Sequence, residues 1–255
     1  MGKPIILISN DDGIESAGIH RLVDYVKDFG EVWVVAPDKP HSGQSSAMTV
    51  NAPLRIISKP DYNSARMFAV TGTPVDCVKL AYHTILPRVP DIMLCGINHG
   101  SNAGNSIIYS GTMGAVMEAT TVGVPAVGYS LLSHSPSADF SETEPFIKHI
   151  TSIVLKNGLP AGICLNVNFP AKVKIEGIKV VRAATSHWTE EYQEYLDPHG
   201  KPFYWLKGKI INEEPEASDT DLYWLDRNFA TIVPARVNQN AIDHIDSTSA
   251  LLNMD

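Results

Sequence analysis

PIILISNDDG, residues 4–13, is a short apolar run closed by two adjacent aspartates and a glycine. With the helical pattern that follows near Ala17–Asp28, it predicts the first β-strand, loop and helix of an α/β domain. The next apolar run, VWVVA at Val32–Ala36, completes a βαβ unit. Ligands of such sheets bind at the carboxyl ends of the strands, which is where the loop of Asp11 and Asp12 would lie.

The alternation of short apolar runs and helical patterns continues along the chain. It predicts a Rossmann-like, three-layer α/β domain with a mostly parallel sheet. The further predicted strands are Arg66–Val70, Ile92–Ile97, Ala126–Leu131, Ile163–Phe169, Ile178–Ala183 and Phe229–Val233. Four further helices are predicted. The first begins with Thr73 and Pro74, and the second runs from near Thr112 to Gly123. The third follows a capping box at Ser141–Glu144 and runs to about Asn157, and a short fourth lies within Ser218–Asp226.

The C-terminal part of the chain differs in composition from the rest. Aromatic residues on both sides of an Asp197–Gly200 turn predict a β-hairpin that projects near residues 186–212. We therefore expect a catalytic α/β part at residues 1–133 and a C-terminal part at residues 134–255 that completes the core and carries the hairpin. A projecting aromatic hairpin packs on a partner subunit more often than on a substrate, so it suggests an oligomerisation extension.

Composition excludes several classes of protein. The net charge of −8 argues against binding to a nucleic acid polymer. No segment approaches the roughly 20 apolar residues of a membrane span, and the N-terminus does not resemble a signal peptide. The three cysteines lack a Cys-x-x-Cys pair and are expected to be buried, reduced thiols. The cytoplasm is the expected location.

The acidic pair predicts a metal site. Packing Asp11 against Asp12 costs repulsion and desolvation unless a cation or hydrogen bonds compensate both carboxylates. A hard, oxygen-ligated ion such as Mg²⁺ or Mn²⁺ would do so. The alternative is a plain turn with an N-cap, since Asn, Asp and Gly are common turn residues.

Two more polar loops follow predicted strands and converge on the same sheet edge, at Pro37–Ser46 and Gly96–Thr112. Ser42 and Asn98 lie early in these loops, so each can add an oxygen beside the acidic pair. This convergence favours a site for one divalent ion, with positions left for water and substrate.

The third of these loops is rich in glycine and small polar residues. Such a loop before a helix N-terminus, with Thr112 as the expected helix cap, is typical of a cradle for phosphate or another tetrahedral anion. A surface loop with turn glycines is the alternative. We expect phosphate contacts from Asn102, Ser110, Gly111 and Thr112. The roles of His41 and His99, which lie in the polar loops, stay open.

Five ordered motifs resemble the SurE (survival protein E) family of metal-dependent nucleoside monophosphate phosphatases, or 5'/3'-nucleotidases. They are Ser9–Gly13, Val35–Asp38 with Ser42-Gly43, Val70–Val78, Gly96–Asn102 and Tyr109–Thr112. The resemblance is close from Ile5 to Ser130 and weaker through Leu165–Pro170. It implies a metal on Asp11, Asp12, Ser42 and Asn98, and a homodimer or homotetramer with exchange of C-terminal segments.

The predicted reaction is hydrolysis of a nucleoside monophosphate to nucleoside and phosphate by a metal-activated water. Asp11, Asp12 and Asn102 are the expected catalytic residues, with one aspartate taking a proton from the water. Two alternatives are open: an aspartyl-phosphate formed on Asp11, and a metal- or nucleotide-binding regulatory protein without turnover.

Overall fold

The computed structural model describes residues 2–253. The strands are β1 (Ile5–Ser9), β2 (Glu31–Pro37), β3 (Ile56–Tyr62), β4 (Ala65–Val70), β5 (Ile92–His99), β6 (Ala126–Leu131), β7 (Ile163–Phe169), β8 (Ile178–Val180), β9 (Ser186–Thr189), β10 (Tyr192–Leu196), β11 (Pro202–Leu206), β12 (Lys209–Asn212) and β13 (Ala230–Arg236). The α-helices are α1 (Ala17–Val26), α2 (Pro74–Leu80), α3 (Gly111–Thr121), α4 (Glu144–Asn157), α5 (Asp221–Leu225) and α6 (Ile245–Leu251).

One sheet of nine strands, in the order β3-β4-β2-β1-β5-β6-β7-β13-β8, organises the molecule. The strand pairs from β4 through to β7 are parallel, as is β13 with β8, whereas β3 with β4 and β7 with β13 are antiparallel. The predicted mostly parallel α/β sheet is confirmed.

Helices cover both faces of this sheet. Ile6 and Ile8 of β1 pack into a core shared with α1 and α4, while Leu7 between them packs into a second core shared with α2 and α3. This follows from the period-2 alternation of side chains along a strand whose two faces are both buried. The predicted three-layer arrangement is therefore confirmed.

A close approach between α1 and β5 brings the end of β5 next to the first loop. A Cβ atom on Gly18 would lie 2.0 Å from the carbonyl oxygen of Ile97, so only glycine allows the helix to lie so near the strand. The register between β5 and β6 shifts between Cys95 and Asn98, which is where β5 enters the polar loop.

Helix starts were predicted with mixed success. Thr73 caps α2 as predicted, in a reciprocal capping box with Asp76. The capping box predicted at Ser141–Glu144 is wrong: Ser141–Thr143 forms a 3₁₀ turn, and α4 begins at Glu144 without a side-chain cap. The N–H and the hydroxyl of Thr143 both donate to the carbonyl oxygen of Phe140, at 2.9 and 2.7 Å, and this closes a turn that places Ser141 before the helix rather than at its cap.

The edge strand β3 was not predicted. It is largely exposed and carries Lys59, Pro60 and Asp61, so it lacks the apolar alternation that marks a half-buried strand. It forms a strand because its backbone pairs antiparallel with β4, and this pairing is not visible in its own sequence.

The predicted hairpin is present and continues as a ribbon of two strand pairs, β10 with β11 and β9 with β12. We call residues 186–212 the arm. Most of its aromatic side chains are exposed, for example Tyr192 and Trp205.

Cys77, Cys95 and Cys164 are buried free thiols, as expected. Across residues 2–253, none of the helices has the length and apolar character needed to span a membrane.

Candidate active site

Asp11 is the buried centre of the site. It lies two residues after Ser9, the last residue of β1, and is 4 % exposed. Its Oδ1 accepts a hydrogen bond of 2.6 Å from the Thr112 hydroxyl in the first turn of α3. Gly111 lies against it so closely that a Cβ atom there would be 2.9 Å from Cβ of Asp11. The acidic loop and the helix N-terminus therefore meet, as the sequence predicts.

Burial raises the pKa of Asp11 from 3.8 to about 6. The hydrogen bond from Thr112 opposes that shift, and the neighbouring charge of Asp12 adds to it. A carboxylate that is this costly to ionise indicates a group held for function rather than for stability.

Asp12 is oriented by His99. Its Oδ2 accepts hydrogen bonds from the backbone N–H of His99 at 3.0 Å and from Nδ1 at 3.1 Å. The edge of the imidazole packs on Phe140, with ring centroids 5.2 Å apart. Oδ1 of Asp12 has no hydrogen-bond partner among the residues that the structure describes, so it is the oxygen left for a ligand.

The side-chain amide of Asn98 is held by a residue of its own loop. Its Nδ2 donates to the carbonyl oxygen of Gly100 at 3.0 Å, which fixes the orientation of the amide. Asn98 and His99 are neighbours at the end of β5, so the strand that orients Asp12 also carries the amide.

The second loop is fastened to the first by backbone hydrogen bonds. His41 N–H donates to the carbonyl oxygen of Asp11 at 2.7 Å, and Ile14 N–H donates to that of Pro37 at 2.8 Å. Ser42 directly follows His41 in this loop, and it is exposed. His41 binds Gln44 through Nδ1, and its buried Nε2 has no partner within residues 2–253.

The donors fit a hard cation by their chemistry. Carboxylate, amide and hydroxyl oxygens are the ligands that Mg²⁺ and Mn²⁺ prefer. In residues 2–253 no group of three or more His, Cys, Asp or Glu side chains is placed to hold a metal. The predicted set differs from such a group because only Asp11 and Asp12 are charged, and the other two donors, Ser42 and Asn98, are neutral.

Asn102 lies in a buried polar network that the sequence analysis missed. Its Nδ2 donates to the Ser130 hydroxyl at 2.8 Å, and its backbone N–H donates to Oδ1 of Asn168 at 2.9 Å. Nδ2 of Asn166 donates to the Asn102 carbonyl oxygen at 2.8 Å. Asn166 and Asn168 are two residues apart on a buried strand, so their side chains lie on the same face of the sheet. Two amides on one buried face need hydrogen-bond partners, and this was the sequence signal for the network.

The N-terminus of α3 differs from the prediction in one respect. Ser110, not Thr112, is the N-cap: its hydroxyl accepts from the Met113 N–H at 3.0 Å, and α3 begins at Gly111. Thr112 lies inside the first turn and uses its hydroxyl proton on Asp11. A threonine can serve as a cap, but here its contact with Asp11 determines its place.

The fold and the acidic pair define the class, an open α/β protein with its candidate site at the carboxyl edge of a mostly parallel sheet. The family model described as Survival protein SurE matches residues 6–190. A protein of Christiangramia forsetii named 5'-nucleotidase SurE is 46% identical over 253 residues, covering 97% of this chain and 96% of that one.

A second protein named 5'-nucleotidase SurE, from Phocaeicola vulgatus, is 44% identical over 239 residues, covering 94% of this chain and 93% of that one. The crystal structure of the SurE protein from Aquifex aeolicus matches with a TM-score of 0.83 and 34% identity, over 98% of this chain and 100% of that one. The chain belongs to the SurE family, as the resemblance indicates.

Proposed function

We propose that the protein is a phosphomonoesterase that hydrolyses nucleoside 5'-monophosphates, with nucleoside 3'-monophosphates as a second class of substrate. The observation that carries the proposal is the contact between Asp11 and the first turn of α3, which places an acidic pair beside a helix N-terminus. The relatives named 5'-nucleotidase support the choice of substrate.

Asp11, Asp12, Ser42 and Asn98 would hold one Mg²⁺ or Mn²⁺. A bound divalent ion would neutralise the two carboxylates, polarise the phosphate and activate a water. The protein's own contribution is orientation: His99 fixes Asp12, and Gly100 fixes the Asn98 amide.

Hydrogen-bond donors for a phosphate lie along the third loop. The hydroxyl of Ser110 accepts from Met113 and keeps its own proton to donate. Asn102 uses one N–H on Ser130 and has a second. The backbone N–H of Gly111 belongs to the first helical turn, whose donors have no partner within the helix. Thr112 acts on Asp11 instead, so its predicted phosphate contact is replaced in the proposal by a positioning role.

One of the two aspartates, Asp11 or Asp12, would also take a proton from the attacking water. The donors of the third loop would then stabilise charge that develops on the phosphate oxygens.

The test is phosphate release from 5'- and 3'-nucleoside monophosphates and p-nitrophenyl phosphate, first with EDTA and then with Mg²⁺ or Mn²⁺ restored. Release that requires the metal and is lost in Asp11→Asn supports the proposal. Saturable nucleotide binding without release would select the regulatory alternative. If enzyme quenched during turnover carries a hydroxylamine-labile phosphate on Asp11, the aspartyl-phosphate alternative is selected.

The proposal extends to assembly as a homodimer or homotetramer. The arm exposes Tyr192, Tyr204 and Trp205, and exposed aromatic area of this kind is typical of subunit interfaces. Light scattering coupled to size exclusion measures the mass. A monomer at micromolar concentration would overturn this part alone.

A further inference from the structure

The arm is joined to the core at the loop that leads to the N-terminus of α3. This loop contains a 3₁₀ helix, Gly104–Tyr109, which connects Asn102 to Ser110. Its first two residues, Gly104 and Asn105, contact residues from the C-terminal part of the chain. These contacts play no part in the chemistry proposed above, but they determine where the loop can lie.

Asp221 holds the start of the 3₁₀ helix. The residue has no exposed surface, and its Oδ2 accepts from the Gly104 N–H at 2.8 Å. Its Oδ1 accepts from the N–H groups of Ala184 at 2.9 Å and Leu222 at 2.8 Å. A buried carboxylate that receives three backbone N–H groups and no cation is costly to lose, because its removal leaves those donors unpaired.

Ser186, the first residue of the arm, holds the next position. Its hydroxyl oxygen accepts from the Asn105 N–H at 3.0 Å, and its carbonyl oxygen accepts from Nδ2 of Asn105 at 2.7 Å. Gly104 has a φ of +55°, and a Cβ atom there would lie 2.4 Å from the Ser186 hydroxyl oxygen. The base of the arm and the loop therefore fit only with glycine at position 104.

The far end of the 3₁₀ helix is held separately. Ser45 in the second loop donates from its hydroxyl to the carbonyl oxygen of Ile108 at 2.6 Å and from its N–H to that of Tyr109 at 3.0 Å. The element is thus held at both ends, and its last residue, Tyr109, directly precedes Ser110. Without the contacts at Gly104 and Asn105, only the contacts of Ser45 would place the loop that leads to the N-terminus of α3.

We propose that Asp221 and Ser186 are positioning residues that tie the base of the arm to the phosphate-binding end of the site. The inference rests on the proposed function and adds two residues to it. It predicts that substrate and phosphate binding depend on the junction of arm and core. Metal binding should not, because within residues 2–253 no hydrogen bond joins the side chains of Asp11, Asp12 or Asn98 to Asp221 or Ser186.

The experiment compares Asp221→Asn and Ser186→Ala with Asp219→Asn. Asp219 lies two residues away, pairs with Arg182 on the surface and is a matched control, since an exposed ion pair contributes little. In Asp221→Asn, an NH₂ group replaces one carboxylate oxygen, so at least one of the three backbone N–H groups loses its acceptor. We expect kcat/KM to fall about 10- to 100-fold, as for a small displacement of a binding group. The Mn²⁺ activation constant should change less than about twofold, and Asp219→Asn should match the wild type.

Calorimetric titration with inorganic phosphate in the presence of Mn²⁺ separates this inference from the proposed function. Weaker phosphate binding by Asp221→Asn than by the wild type supports the inference. A wild-type protein that binds phosphate but hydrolyses no nucleotide would overturn the proposed function and leave this inference standing. A purely structural role would lower the Tm but leave KM and phosphate affinity at wild-type values, and that result overturns the inference. If Asp221→Asn does not fold, Ser186→Ala decides by the same readouts.

Discussion

Thr112 donates its hydroxyl proton to Asp11 across 2.6 Å, joining the first turn of α3 to the loop after β1. Because this bond stabilises the ionised carboxylate, it opposes the rise in pKa that burial causes. The contact links the helix N-terminus, which is suited to an anion, with the carboxylate proposed to hold a cation. A substitution of Thr112 should therefore change the pKa of Asp11 and its affinity for a cation.

Replacing Thr112 by valine should raise the pKa of Asp11 further. A hydrogen bond to a charged group contributes roughly 1.5–3 kcal/mol, so the acidic limb of the pH–rate profile should move upward by about one to two pH units. Mn²⁺ should also bind more weakly at pH 6.5 than at pH 8.0, since the proton on Asp11 competes with it. Initial rates from pH 5 to 9 measure the shift.

The matched control is Thr121→Val. Thr121 is on the same helix but is exposed, and its hydroxyl bonds the carbonyl oxygen of Met117. It should leave the pH profile unchanged. An unmoved profile in a folded Thr112→Val variant would contradict the role given to the Thr112 hydroxyl.

Asp11→Asn should abolish turnover and stabilise the metal-free protein. The folded pKa of Asp11 is raised, so its favourable contribution is complete below pH 3.8 and is lost as the pH rises through about 6. Above that pH the ionised carboxylate costs about 3 kcal/mol. The stability gap in favour of the variant should widen by about 1–2 kcal/mol between pH 5 and pH 7.5.

Urea unfolding in EDTA at the two pH values measures that gap. Asp28→Asn removes an exposed carboxylate and serves as the control, with no widening expected. A variant that is less stable than the wild type at pH 7.5 would show that Asp11 contributes to the fold rather than weakening it.

Local signals were enough to predict the acidic loop and most strands. The run at residues 4–13 combines a buried strand with turn residues, and both properties are visible in adjacent positions. The predicted grouping of the first three polar loops followed from sheet topology, and the hydrogen bonds from His41 to Asp11 and from His99 to Asp12 agree with it.

Contacts that depend on distant segments could not be predicted in this way. Asn168 meets Asn102 because β7 lies beside β6 in the sheet, and Asp221 meets Gly104 across 117 positions of sequence. Neither partner carries a local motif. Ser110 was missed as the cap because serine and threonine are both common N-caps, and the hydrogen bond that engages Thr112 comes from the distant Asp11.

His99 should act as an orienting group for Asp12. Replacing it by alanine removes the Nδ1 donor but keeps the backbone N–H on the carboxylate. Outer hydrogen bonds to metal ligands typically contribute 10–100-fold in affinity, so we expect the Mn²⁺ activation constant to rise by about 10-fold. Asparagine at this position, which offers a donor, should recover part of the loss, and the exposed His149→Ala should have no effect. An unchanged activation constant in His99→Ala would contradict the orienting role.

Asn168→Ala should weaken both the fold and turnover. The backbone N–H of Asn102 would lose its acceptor inside the protein, and a buried, unsatisfied donor costs about 1–3 kcal/mol. Because Asn102 would then be less well held, kcat should fall even in the folded fraction. Urea unfolding and active-site titration separate the two effects. Ser137→Ala, a change in an exposed loop, should alter neither quantity. A loss of stability with an unchanged kcat per folded molecule would mean that the network supports the sheet and does not position Asn102.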